Sequence, residues 1–235
     1  AMYFAYQRVI PTAAAFAAER IPRESEDALG DIAMDSLERF GFKSSRVSDE
    51  EQASIQKDFD ELARAAGLSD VVSLQFRAAP PNAFALPGGT IIVTDPLALL
   101  FRNDRRMLRA VLAHEMGHQA HRDSLRHILA GSFSAVVMGA VAGDVSGVAA
   151  LTVTVPTLTT TLHYTRTLEA EADAYAFDLL KKTGVSPKDF ADAMRSLRAM
   201  SQCVSLRMAD RRAAHRAPGP MYDPYQDDWN DLSAS

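Results

Sequence analysis

Cysteine is almost missing: Cys203 is the single one in 235 residues. No internal disulfide can form, so burial of apolar surface has to hold the fold. That does not exclude an oxidising compartment, and Cys203 reads as a small buried apolar residue rather than a nucleophile. A large excess of one charge sign is missing too. With 25 basic and 30 acidic side chains the formal net charge is −5, which argues against a nucleic-acid partner. Nor is there a clean membrane-length apolar run. Residues 128–143 and 145–164 carry no charge, but Asp144 separates them, Pro156 interrupts the second, and Gly, Ala, Ser and Thr dilute both. They read as a weak transmembrane hairpin or, better, as a buried or membrane-facing apolar arm. No repeat and no low-complexity tract is present, which leaves an ordinary globular chain long enough to bury a real core.

The chain opens on Ala1 rather than Met, and no secretory signal is visible. Met2, Tyr3, Phe4, Ala5 and Tyr6 are too few to span a bilayer. Two readings stay open for them: the exit of a removed transmembrane helix, or a plain helix start. The expected plan is a helical arm over 1–24, a body over 25–210 and a tail over 211–235, where Pro218, Gly219, Pro220 and Pro224 break regular structure. Within the body, residues 12–40 read as helices. A helix over 48–66 starts at a Ser48 cap before Asp49, Glu50 and Glu51 and closes at Gly67. Val72, Leu74 and Phe76 alternate with polar residues as a half-buried strand. Two further short strands meet at a Pro87-Gly88-Gly89 turn. One long helix is expected over 105–128, another over 164–183 ended by Gly184, and a last over 188–210.

The chemistry sits in His114-Glu115-Met116-Gly117-His118, inside the helix expected over 105–128. Four-residue spacing stacks the two imidazoles on one face, where both can ligate one Zn²⁺. Glu115 points about 100° around the helix, where the general base of a zinc hydrolase belongs. Leu108, Val111 and Leu112 form an apolar stripe that buries the same helix, and two histidines buried there without a metal would be costly. A catalytic zinc needs a third protein ligand. Position 124 is Ser, so a third histidine ten residues after the first, the metzincin arrangement, is excluded. Downstream, Glu169 and Asp173 share a helix face. A ligating carboxylate followed one turn later by a carboxylate that accepts a histidine N–H suits a His₂Glu site. Glu171 lies about 200° away and is expected to face solvent. Ala170, Ala172 and Ala174 would let two helices approach closely. A deformylase-type site would want a cysteine upstream of the helix, whereas Cys203 lies far downstream.

Three motifs occur in order: Asn82-Ala83-Phe84-Ala85-Leu86-Pro87-Gly88-Gly89, His114 to His118, and Arg166 to Asp173. With them the chain resembles the HtpX, BepA and CAAX-prenyl-protease group of zinc metallopeptidases over about residues 25–200. The resemblance implies an α+β, predominantly helical, zincin-like (gluzincin) fold with a small sheet beside the active-site helix. It implies one Zn²⁺ on His114, His118 and Glu169, Glu115 as general base, and Asp173 behind a ligand, His114. It also implies that Asn82, Ala83, Phe84 and Ala85 border the cleft and pair with an extended polypeptide substrate. His163, Tyr164, Arg166 and Tyr175 are all candidates to stabilise the oxyanion, and the sequence does not choose among them.

The activity so implied is zinc-dependent endoproteolysis of extended or misfolded segments in the bacterial cell envelope, on the periplasmic side. The alternative is a zinc-containing, self-inhibited or chaperone-like binding protein; the intact base Glu115 favours the protease. Membrane association is expected through a removed N-terminal anchor or the 128–164 region. Asp231 to Ser235 resembles the approach to a Ser/Thr-His-Pro element that relatives carry, and such an element is expected to follow. His121, His127 and His215 read as packing or surface histidines. Protons compete with zinc for the two ligand histidines, so metal and activity should be lost below about pH 6.

Overall fold

The computed structural model describes residues 2–142, 166–186, 188–197 and 199. Expectations for residues 143–165 (the second apolar stretch, with His163 and Tyr164), for Cys203 and for the tail fall outside the described residues. Helices α1 (Met2–Ala18) and α2 (Arg23–Arg39) lead into a two-residue strand β1 (Lys43–Ser44) and helix α3 (Asp49–Ala66). Ser48 Oγ accepts from the Glu51 N–H at the start of α3, and Gly67 closes it in the left-handed conformation, φ 69°. Strands β2 (Ser73–Ala78), β3 (Ala83–Ala85) and β4 (Thr90–Thr94) follow. The sheet order is β1-β2-β4-β3, antiparallel at both ends and parallel between β2 and β4. The fold is thus α+β and mostly helical, with β3 as one open edge of a small sheet.

Strands β3 and β4 join through a single 3₁₀ turn, Pro87–Gly89. Gly89 takes φ 92°, and a Cβ there would fall 1.8 Å from the Val71 carbonyl oxygen, so no other residue fits. After β4 a short helix α4 (Asp95–Leu100) appears that the sequence reading did not include. Its Asp95-Pro96 opening is a helix-start signal, since proline at the first positions lacks only an N–H that would have no partner.

The central helix is α5 (Arg105–Ala120). Its Leu108, Val111, Leu112 and Met116 are buried with Ile55, Phe59 and Leu62 of α3 and with Leu179 and Leu180 of α7 (Arg166–Thr183). Arg105 and Arg109 clamp the start of α5 to α3: Arg105 pairs with Asp58 and Glu51, and Arg109 with Asp58 and Glu61. A second, smaller core joins Ala33 and Leu37 of α2, Phe84 and Leu86 at β3, Ile92 of β4 and Ile128.

The helix expected over 105–128 is in fact two. α5 stops at Ala120, Arg122 turns left-handed at φ 55°, and α6 (Asp123–Ala142) starts afresh. Such a backbone costs a non-glycine residue on the order of 1–3 kcal/mol and needs outside support. The guanidinium supplies it: Nε donates to Glu26 Oε2 (2.7 Å), Nη1 to the Ala18 carbonyl (2.5 Å) and Nη2 to the Ile21 carbonyl (2.9 Å). α1 packs against α6, burying Ile10, Ala14 and Ala18 at four-residue spacing. Among the described residues no helix is long and apolar enough to cross a membrane.

Candidate metal centre

His114 and His118 lie one turn apart on α5, and both rings turn Nε2 to the same point, 3.1 Å from each other. α7 crosses α5 there. The crossing is close because position 117 is glycine: a Cβ on it would lie 2.8 Å from Ala172 Cα. With Ala172 also small and fully buried, the two backbones meet. That contact brings Glu169 down over the histidines, with Oε2 3.6 Å from His114 Nε2 and Oε1 3.8 Å from His118 Nε2. One ligand atom from each of His114, His118 and Glu169 fits within 4.8 Å of the others.

Each imidazole is backed by a carboxylate on its far nitrogen. Asp173 Oδ1 lies 3.0 Å from His114 Nδ1, close enough for a charge-assisted contact though off the line of a good hydrogen bond. His118 Nδ1 donates to Asp123 Oδ2 at 2.9 Å, a pair buried almost completely. A carboxylate accepting at Nδ1 keeps the ring proton there and leaves the Nε2 lone pair free. Two lone pairs and a carboxylate then face one spot, an arrangement that repels itself unless a cation sits among them. The donor set suits a divalent metal, and His₂Glu suits zinc.

The electrostatics say the same. Burial works against a charged His114, but the contacts to Asp173 and Glu169 and the charge of Glu115 outweigh it and carry its pKa to about 10. The His114 imidazole holds Glu169 below the usual carboxylate range, against partial burial. Burial pushes Glu115 up, opposed by His118 and His114 and assisted by the charge of Glu169. The Ala85 N–H of β3 also reaches the Glu115 carboxylate.

Three further bonds fasten α5 and the start of α6 to β3 and the turn that follows it. Ser124 Oγ donates to the Ala85 carbonyl at 2.8 Å. Gln119 Nε2 donates to the Leu86 and Thr90 carbonyls, at 2.7 and 3.1 Å. The edge strand and the helix that carries Glu115 therefore form one stiff unit. Within β3, Phe84 pairs with Ile92, flanked by the bonds from Leu86 N–H to the Thr90 carbonyl and from Thr94 N–H to the Asn82 carbonyl. By the alternation of an antiparallel ladder, Ala83 and Ala85 turn their backbone groups away from β4. Asn82 is tied down at the strand entrance, its N–H donating to Thr94 Oγ1.

Other residues singled out in the sequence lie elsewhere. Arg166 opens α7 and is exposed. Tyr175 packs edge-on against His121 at the end of α5, and burial raises its hydroxyl pKa. His127 sits on α6, half-buried, its pKa lowered by burial. Glu171 does not simply face water: its carboxylate takes Arg126 Nη1 at 2.7 Å, and the same nitrogen donates to Asp123 Oδ1 at 2.8 Å. Asp123 itself was missed, because on an unbroken helix it would lie about 140° around from His118. Phe190, its ring 6.0 Å from that of His114, was missed as well.

The family model for peptidase family M48 matches residues 49–222, most of the chain and all of this site. The chain belongs to peptidase family M48. Individual relatives align over shorter stretches. A protease HtpX homologue from Pyrobaculum aerophilum is 37% identical over 87 residues, 35% of this chain and 24% of the relative. The metalloprotease LoiP of Escherichia coli is 29% identical over 143 residues, 59% of this chain and 56% of the relative. The metalloprotease YcaL of the same organism is 30% identical over 124 residues, 51% of this chain and 48% of the relative. The chain thus spans from about a quarter to a little over half of the length of these relatives.

Proposed function

We propose that this protein is a zinc-dependent metalloendopeptidase that cuts extended or misfolded polypeptide segments in the bacterial cell envelope, as part of protein quality control. The observation that carries the reading is the convergence of His114 Nε2, His118 Nε2 and the Glu169 carboxylate on one spot beside a buried Glu115. His114, His118 and Glu169 would hold the zinc, with Asp173 and Asp123 orienting the imidazoles. Zinc held there supplies Lewis-acid charge that polarises a carbonyl and acidifies water. Glu115, with its raised pKa, takes the proton from the attacking water and returns it to the leaving amine.

Asn82, Ala83, Phe84 and Ala85 form the substrate rail. The outward groups of Ala85 are engaged by Glu115 and Ser124, so Ala83 offers its N–H and C=O to an incoming strand. The oxyanion donor is drawn from His163, Tyr164 and Arg166, which precede Glu169 in the sequence. Residues 25–210 are the catalytic body, with 1–24 as an arm and 211–235 as a tail. The envelope assignment draws on the resemblance to HtpX and BepA.

The test is cleavage of a loosely folded protein by the zinc-loaded chain, beside Glu115→Gln. The variant should keep its zinc and lose activity by a factor on the order of 10²–10⁴. Equal cleavage by both would remove Glu115 from the reaction. No cleavage by the zinc-loaded wild type would favour a self-inhibited binding protein.

A further inference from the structure

We infer that Arg122 is a positioning residue of the metal centre: anchored by Glu26 and the end of α1, it holds the left-handed break that sets Asp123 against His118. The inference rests on the reading of His114, His118 and Glu169 as metal ligands.

Among the described residues Arg122 is the one non-glycine with positive φ. Asparagine or aspartate can offset that backbone with a local side-chain bond; arginine cannot. The Arg122 N–H and carbonyl make the local turn bonds to Gln119 and Arg126, but what holds its side chain is distant in sequence. Glu26, 2% exposed, receives Nε, and the carbonyls of Ala18 and Ile21 receive the two terminal nitrogens. Those carbonyls lie where α1 ends, among groups a helix leaves without internal partners. Arg122 thus satisfies the close of α1 and the buried carboxylate at once, and its own backbone is fixed between them.

The consequence falls on the next residue. Were α5 to run on through 122, Asp123 would project about 140° away from His118. The break instead swings it to 2.9 Å from His118 Nδ1, with no exposed surface. Arg126 also holds Asp123 through its side chain, and its N–H donates to the Arg122 carbonyl in the first turn of α6, downstream of the break. The first two helices are in this way wired to the orientation of a metal ligand.

The test uses the full chain, freed of metal and titrated with Zn²⁺ against a chelator, with the visible spectrum of the Co²⁺-loaded protein as second readout. Asp123→Asn should weaken Zn²⁺ binding by about 10–100-fold. Arg122→Ala should weaken it by about tenfold and shift the Co²⁺ bands in the same direction, and Arg122→Lys should recover part of both. The double variant Arg122→Ala/Asp123→Asn should bind no more weakly than Asp123→Asn alone, because Arg122 acts through Asp123. Wild-type affinity in a folded Arg122→Ala, or losses that multiply in the double variant, would overturn the inference. Should Arg122→Ala fail to fold, Glu26→Gln and Arg122→Lys take its place, with an expected loss of about three- to tenfold that disappears in the Asp123→Asn background. Unchanged affinity in both overturns it equally. A wild-type chain that binds neither Zn²⁺ nor Co²⁺ overturns the metal-centre reading itself, a result distinct from the others.

Discussion

The two histidines of the site are supported unequally. His118 is 2% exposed and rests on an Asp123 with no exposed surface, itself bonded to Arg126. His114 rests on Asp173, which like Glu169 keeps 45% of its side chain in solvent. One half of the site is built into the junction of α5 and α6, and the other is lowered onto it by a helix more than forty residues on. The buried half supplies a fixed anchor. The exposed half supplies most of the negative charge that open chemistry can reach, and it carries the pKa of His114 up to about 10.

That contrast can be broken or sharpened by experiment. The largest effect should come from pH. With the His114 pKa near 10 in the metal-free site, metal must displace a proton at any ordinary pH. Zinc affinity should rise about tenfold per pH unit from pH 6 to 9, with about one proton released per metal, measurable by calorimetry in buffers of different ionisation enthalpy. The competition therefore begins well above the pH 6 expected from ordinary histidines. In the metal-free protein the sign reverses. A raised folded-state pKa means stability present in full below about pH 6.5 and lost as pH climbs toward 10, which thermal melts would follow. Metal release of no protons would remove the charged His114.

The two carboxylate supports come next. Asp123→Asn should cost zinc affinity toward the upper end of the 10–100-fold range and Asp173→Asn about tenfold, since water can replace an exposed partner but not a buried one. Equal losses in chelator competition would erase the distinction between the halves. Gly117→Ala tests how the halves are joined. Its Cβ would meet the backbone of Ala172 at 2.8–2.9 Å, and unfolding experiments should show a loss of about 1–3 kcal/mol. The smallest effect belongs to Glu171→Gln. Its pair with Arg126 is 38% exposed on the acid side, so stability should change by less than about 1 kcal/mol in denaturant titration, with Asp123 keeping Arg126 in place.

How much of this could be read in the sequence follows the same division. Local signals were legible: the Ser48 cap and Gly67 close of α3, Gly184 at φ 73° after α7, and the alternation of β2. The four-residue spacing of His114 and His118 and of Glu169 and Asp173 marked shared faces without any knowledge of the fold. Asp123 was not legible, since no glycine or proline between His118 and Ala130 marks a break at Arg122. The break there is imposed by Glu26 and the end of α1, contacts 96 to 104 residues away in sequence. β1 escaped for a simpler reason: two residues are too few to show an alternation. Glu171 was expected in water because helical angle alone fixes a direction, not what waits there.

The stapling of β3 to α5 through Glu115 and Gln119, and to α6 through Ser124, has one more consequence. Under the proposed pairing of a polypeptide with β3, the strand would be a ruler: the polypeptide could slide along it only in steps of two residues, because a one-residue shift turns every side chain to the opposite face. The distance from the Ala83 backbone to Glu115 does not change as it slides. Successive cuts in an unfolded chain should therefore fall preferentially at even spacings, a rhythm in the fragment lengths that owes nothing to which side chains flank the broken bond.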